Sequence, residues 1–101
     1  MSLEALTKQL TEQAKFAPKI GYKILIDLGD EGVIFIDGEQ HPPNITNEDG
    51  GDAVTTMKTS GKVFEGIMNG TQDPTMAVMM GKMKITGKMG VAMKLASILE
   101  D

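Results

Sequence analysis

Leu3, Leu6 and Leu10 recur at helical spacing, with Glu4 and Lys8 as an i,i+4 pair on the polar side, and predict an amphipathic helix over residues 3–16. Pro18 and Gly21 close it. The period then changes from helical to alternating. Tyr22, Ile24, Ile26 and Leu28 fall on one face of a predicted strand, with Asp27 on the other. After the turn Gly29-Asp30-Glu31-Gly32 the run Val33-Ile34-Phe35-Ile36-Asp37 predicts a second strand. So short a connection implies an antiparallel pair. From Gly38 to Asp52 the pattern weakens, and His41-Pro42-Pro43 and the polar run Asn47–Asp52 suit a loop with a short edge strand near Ile45.

Ala53 to Lys58 predicts another strand, with Ala53, Thr55 and Met57 on one face and Lys58 opposite. Ser60 is placed to cap a helix in which Phe64, Ile67 and Met68 stand at i, i+3, i+4, ended by Gly70. Asp73-Pro74 is a cap followed by proline at the first helical position, opening a short helical turn with Met76, Met79 and Met80. Lys82-Met83-Lys84-Ile85-Thr86 alternates, Met83 and Ile85 inward. The last predicted helix, Val91 to Leu99, is unusual: only Lys94 and Ser97 are polar, whereas a surface helix normally carries a single apolar stripe. It is therefore sunk in the core or covered by something else. The order of elements predicts an α+β fold, a sheet with helices on one face, and 101 residues fit a single domain, 1–101.

Composition narrows the function. Ten lysines face fourteen acids with no arginine, for a net charge of −4. That balance argues against nucleic-acid binding, which relies on basic charge and on arginine's planar fork. The charges are segregated. Between Asp27 and Asp52 stand eight acids and no lysine, whereas Lys82, Lys84, Lys88 and Lys94 follow one another without an intervening acid. This is either a solvated face or a stripe for head-group contact with an anionic membrane. The absence of cysteine removes disulfides and thiolate chemistry. No stretch is apolar enough to span a membrane, and the polar start Met1-Ser2-Leu3-Glu4 does not read as a signal peptide, so a cytoplasmic location is expected. Methionine is the anomaly: of nine, all but Met1 fall between Met57 and Met93. Methionine's unbranched, polarizable side chain remodels around varied apolar shapes.

Catalytic candidates are sparse. His41 is the only histidine, and Ser2, Ser60 and Ser97 fall at a terminus, a cap and a helix surface, so no nucleophile–base pair is evident. Asp27 and Asp37 end their strands in apolar surroundings, where burial could raise a carboxyl's pKa, but alternation turns Asp27 outward. Asn47-Glu48-Asp49-Gly50 fails as a calcium loop, because Ile45 would hold its first position and Thr56 its last. Gly81 to Lys88 fails as a phosphate loop: five residues separate its glycines and Met89 follows the lysine. No catalytic residue, metal site or cofactor is expected, and what is left is an apolar half-chain suited to holding an apolar ligand.

The segments Phe64…Met68-Asn69-Gly70, Pro74…Ala77…Gly81-Lys82-Met83-Lys84-Ile85-Thr86-Gly87 and Met89-Gly90-Val91-Ala92-Met93-Lys94-Leu95 together resemble the sterol carrier protein type-2 family of non-specific lipid-transfer domains. The resemblance is dense from Met57 to Leu99; from Leu3 to Thr56 only the order of elements coincides. It implies an α+β fold with a single five-stranded mixed sheet, helices covering one face, and a hydrophobic tunnel between them. It also implies an intracellular carrier rather than an enzyme, taking long-chain fatty acid, acyl-CoA, sterol or phospholipid. The alternative is an accessory module that presents an acyl substrate to a separate enzyme. The strands would give the tunnel wall Ile24, Ile26, Phe35, Met57, Met83 and Ile85; the helices would give it Phe64, Ile67, Met68, Met79 and Met93. Lys82, Lys84, Lys88 and Lys94 are the candidates for head-group or membrane contact. Three features depart from the family pattern. The chain ends Leu99-Glu100-Asp101 rather than in the peroxisomal tripeptide of many eukaryotic members, Asp27 to Asp52 is strongly acidic, and Met79 and Met80 stand where aromatic residues are common.

Overall fold

Ser2 starts the first helix: its Oγ accepts the Ala5 N–H at 3.1 Å, and α1 then runs Leu3–Lys15. The structure, a computed structural model, describes residues 2–99; Met1, Glu100 and Asp101 lie outside it. After α1 come β1 (Lys23–Asp27), a single 3-10 turn at Gly29–Glu31, β2 (Val33–Asp37), β3 (Asn44–Thr46), β4 (Thr55–Thr59), α2 (Gly61–Asn69), α3 (Pro74–Met79), β5 (Met83–Gly87) and α4 (Met89–Leu99). Predicted and observed elements agree in kind and order. The offsets are small: β4 starts two positions later than Ala53, and α4 two earlier than Val91.

The strands form one sheet in the order β3-β2-β1-β4-β5, antiparallel throughout except for the parallel β1–β4 pair, and so mixed. Register turns alternation into rows. Ile34, Ile26, Met57 and Ile85 lie opposite one another across four strands; Ile45, Ile36, Ile24 and Thr55 make the next row. Both rows face the helices, and their apolar members pack with Leu6, Leu10, Phe64, Ile67, Met68, Leu95 and Leu99 into one cluster, with Ile45 and Ile85 partly buried at its border. Buried Thr55 and Thr59 keep their hydroxyls satisfied, donating to the Lys88 and Lys82 carbonyls at 2.9 and 2.7 Å.

The helices are fixed by local signals. Ser60 Oγ accepts from Val63 N–H at 3.1 Å, and Glu31, brought across by the 3-10 turn, accepts from Gly61 N–H at 2.7 Å. Two of the unpaired N–H groups at the start of α2 are thereby satisfied. Gly70, at φ +80°, ends α2, and Asp73 Oδ1 caps α3 through the Thr75 and Met76 N–H groups. The apolar majority of α4 follows from its position. It packs against α1, α2, α3, β4 and β5, burying Val91, Ala92, Leu95, Ala96 and Leu99.

The opposite sheet face carries two buried side chains, Leu25 and Phe35, paired across β1 and β2. The acidic loop after β3 covers Phe35. A Cβ on Gly50 would stand 2.7 Å from Phe35 Cζ, so the backbone itself lies against the far end of the ring. Lys23 Nζ holds the loop through Asp52 at 2.7 Å. That hydrogen bond and the opposite charge lower the Asp52 pKa and raise that of Lys23. The contribution is present above the unfolded carboxylate value of 3.8 and is lost as pH falls through the lower folded value; on the lysine side it is lost as pH rises beyond 10.5. The pair is at the surface, so its effect is small. Urea unfolding of Lys23→Met and the native chain should give a slightly lower midpoint for the variant at pH 6 and a narrowing difference below pH ~3.8. A difference that widens in acid would contradict the pairing.

Candidate functional site

The apolar layer between sheet and helices is the candidate site. Strand alternation delivers Ile24, Ile26, Met57 and Met83 to it from below, all buried. The i, i+3, i+4 pattern of α2 delivers Phe64, Ile67 and Met68 from above. Ile85 and Met93 are partly buried at its border, where the Met93 sulfur lies 3.9 Å from Thr75 Oγ1 of α3. Met57, Met68 and Met83 give the layer three flexible thioether side chains among stiff branched ones.

Two expected wall residues fall elsewhere. Phe35 points to the other sheet face: Ile34 and Ile36 take the helix side, and alternation forces Phe35 away. Met79 is 75% exposed, because α3 turns only Ala77 fully inward. The four lysines also separate. Lys82, Lys84 and Lys88 are exposed along β5 and its exit. Lys94 instead donates to the Ile20 carbonyl at 3.0 Å and stands 5.5 Å from the centre of the Tyr22 ring, tying α4 to the α1–β1 connection.

Three features are added by the structure. Met76, Met80 and Met89 are exposed, as Met79 is, and a cleft of about 430 Å³ is lined by Lys62, Val63, Gly66, Thr71, Gln72 and Lys82. Tyr22 keeps the parity of Ile24 but lies just outside β1, under Lys94. The spacing of Met76, Met79 and Met80 carried a signal for one shared helix face; nothing local joins Lys62 to Lys82.

The polar candidates have structural tasks. Asp27 Oδ1 accepts from Gly29 N–H at 2.9 Å, and Asp37 accepts from Glu39 N–H at 3.2 Å and Gln40 Nε2 at 2.8 Å, both shaping turns. Ser60 is a cap; His41 and Ser97 are exposed. Among the described residues no group of three or more His, Asp or Glu could hold a metal ion, and no helix is long and apolar enough to cross a membrane.

The chain matches the SCP-2 sterol transfer family over residues 3–100. It belongs to that family. No curated protein matches it. Among solved structures, the sterol carrier protein domain 2 of Helicoverpa armigera is 27% identical, with a TM-score of 0.60 and 96% of this chain and 76% of that one covered. A "UbiJ-SCP2 Ubiquinone synthesis protein" is 14% identical, with a TM-score of 0.74 and coverage of 96% and 87%. The palmitated SCP2L2 of Aedes aegypti is 17% identical, with a TM-score of 0.72 and coverage of 100% and 96%. The family's five-stranded mixed sheet with helices on one face is thus the architecture of this chain. Lipid binding and transfer is the family's activity.

Proposed function

We propose that this chain is a cytoplasmic carrier of long-chain lipids, holding a fatty acid, fatty acyl-CoA, sterol or phospholipid between sheet and helices and releasing it chemically unchanged. Residues 1–101 act as one lipid-binding domain in this reading. The observation that carries it is the continuous apolar layer in which Met57, Met68 and Met83 sit among Ile24, Ile26, Phe64 and Ile67, with Ile85 and Met93 at its border. Transfer of an acyl chain into such surroundings is favourable by about 0.8 kcal/mol per methylene, so some fifteen methylenes give roughly 12 kcal/mol before the costs of association. No charged partner is then required to hold the ligand. The palmitated relative supports an acyl ligand. Exchange with a bilayer would bring Lys82, Lys84 and Lys88 to the head groups. Titration with a fluorescent long-chain acyl probe should saturate near one probe per chain, with the probe recovered intact. No binding of acyl or sterol probes at tens of micromolar would overturn the reading.

A second reading is favoured by the likeness to the ubiquinone synthesis protein: an accessory module that presents an apolar substrate to a separate enzyme. It differs in having one stoichiometric protein partner, and exchange of bound lipid between vesicles without any partner favours the free carrier.

A further inference from the structure

One edge of the molecule is apolar and uncovered. Met76 is 47% exposed, Met79 75%, Met80 60% and Met89 50%. Met76, Met79 and Met80 share a face of α3 by their i, i+3, i+4 spacing. Met89 and Met93 share a face of α4, and the Met93–Thr75 contact sets that face beside α3. The other large exposed apolar residues, Phe16, Tyr22 and Val54, lie outside α3 and α4.

Charge says what this edge meets. Pro74 to Leu99 contains no acid, and of its four lysines Lys82, Lys84 and Lys88 are exposed along β5 and its exit, while Lys94 is turned to Ile20 and Tyr22. Sheet order places β5 at the edge opposite β3, and the eight acids from Asp27 to Asp52 belong to β1, β2, β3 and their connections. Asp73, immediately before this stretch, is held as the cap of α3, and Glu100 and Asp101 follow the stretch in sequence. A chain of net charge −4 is thereby polarised, so an anionic surface repels its β3 edge and attracts its methionine edge.

The cleft supplies a second, independent observation. Thr71 and Gln72 precede α3 and Lys82 follows it, so the segments on either side of α3 form part of the cleft wall; Lys62, Val63 and Gly66 of α2 complete it. No carboxylate lines it, and among the described residues neither Lys62 nor Lys82 has an ion-pair partner. Two lysine side chains on the wall of one concave space, with the nearby Glu31 carboxylate engaged at the Gly61 N–H, suit a phosphate.

We propose that this edge docks on a bilayer containing anionic phospholipid. Met76, Met79, Met80 and Met89 enter the boundary of the acyl chains, and the Lys62–Lys82 cleft takes a head-group phosphate. Unbranched thioether side chains adapt to disordered chains, while lysines keep their ammonium groups among the head groups. The inference extends the carrier reading, on which it rests for its purpose, by naming the surface at which lipid is exchanged.

Flotation of the full chain with phosphatidylcholine vesicles, with and without phosphatidylglycerol, tests it. The native chain should float with the mixed vesicles and far less with the neutral ones, and salt should reduce the difference. M79E/M80E should abolish flotation. K62A/K82A should weaken it by roughly tenfold or more. F16E, changed at a 90% exposed residue outside this edge, should behave as native. All the variants should keep the native circular dichroism and the native affinity for the acyl probe, so a failure of docking is distinguishable from a failure of lipid carriage. Undiminished flotation of M79E/M80E, or equal flotation with neutral vesicles, would overturn the proposal. So would a vesicle-free dimer that M79E/M80E dissociates, since the edge would then serve a second copy of the chain.

Discussion

Gly87→Ala is expected to lower stability by about 2–4 kcal/mol, read from urea unfolding midpoints. Two costs combine. Gly87 has φ +94°, a conformation that L side chains avoid. A Cβ there would also overlap the Val54 carbonyl and stand 3.2 Å from Thr55 Cα. Both are backbone atoms, so relief requires β5 to separate from β4. The same junction is cross-tied: Thr55 Oγ1 donates to the Lys88 carbonyl at 2.9 Å and accepts from Lys88 N–H at 3.2 Å. Separation therefore loosens the entry to α4 as well. Gly70 isolates the first cost. It has φ +80° but open space around its missing Cβ, so Gly70→Ala should cost only about 1–2 kcal/mol. Gly90 has neither feature and lies inside α4, so Gly90→Ala should gain up to about 1 kcal/mol from helix propensity. Equal losses for Gly87→Ala and Gly70→Ala would show that the Val54 contact carries no weight.

This contrast marks where the sequence is legible. Gly70, Ser60 and Asp73-Pro74 announce helix ends because the groups they satisfy lie within a few residues. Gly87 is readable as a turn, but its close approach to Val54 exists only once β5 has paired with β4. Phe35 illustrates the same boundary within a strand. Ile34-Phe35-Ile36 is apolar on both faces, so alternation alone does not say which face meets the helices. The outward face is instead covered by Gly50 on the loop that Lys23 and Asp52 secure. Met79 follows from helix length. Six residues turn little surface inward, and Ala77 takes that place. Lys94 is displaced from the basic stripe by Ile20 and Tyr22, partners more than seventy residues away in the chain. What depends on neighbours in sequence was readable, and what depends on tertiary approach was not.

Met68 and Met93 should respond differently to truncation, and the difference separates a packed core from a ligand-lined wall. Met68 is fully buried in the last turns of α2, whose attachment to α1 includes the Gln13 Nε2 bond to the Met68 carbonyl at 3.0 Å. Met68→Ala should cost about 2–5 kcal/mol of lipid-free stability, from lost transfer energy plus a cavity that cannot fully collapse. Met93 is partly buried at the border of the apolar layer, with its sulfur against Thr75. If it lines the lipid space, fewer contacts are lost in the lipid-free protein, and Met93→Ala should cost about 1 kcal/mol or less. The remaining loss then falls on the ligand, with acyl-probe affinity weakened several-fold to about tenfold, equivalent to up to about 1.4 kcal/mol. Urea unfolding of both lipid-free variants, followed by probe titration of whichever remain folded, reads the two quantities separately. A large loss of stability in Met93→Ala with unchanged affinity would assign Met93 to ordinary core packing and would remove it from the lipid site.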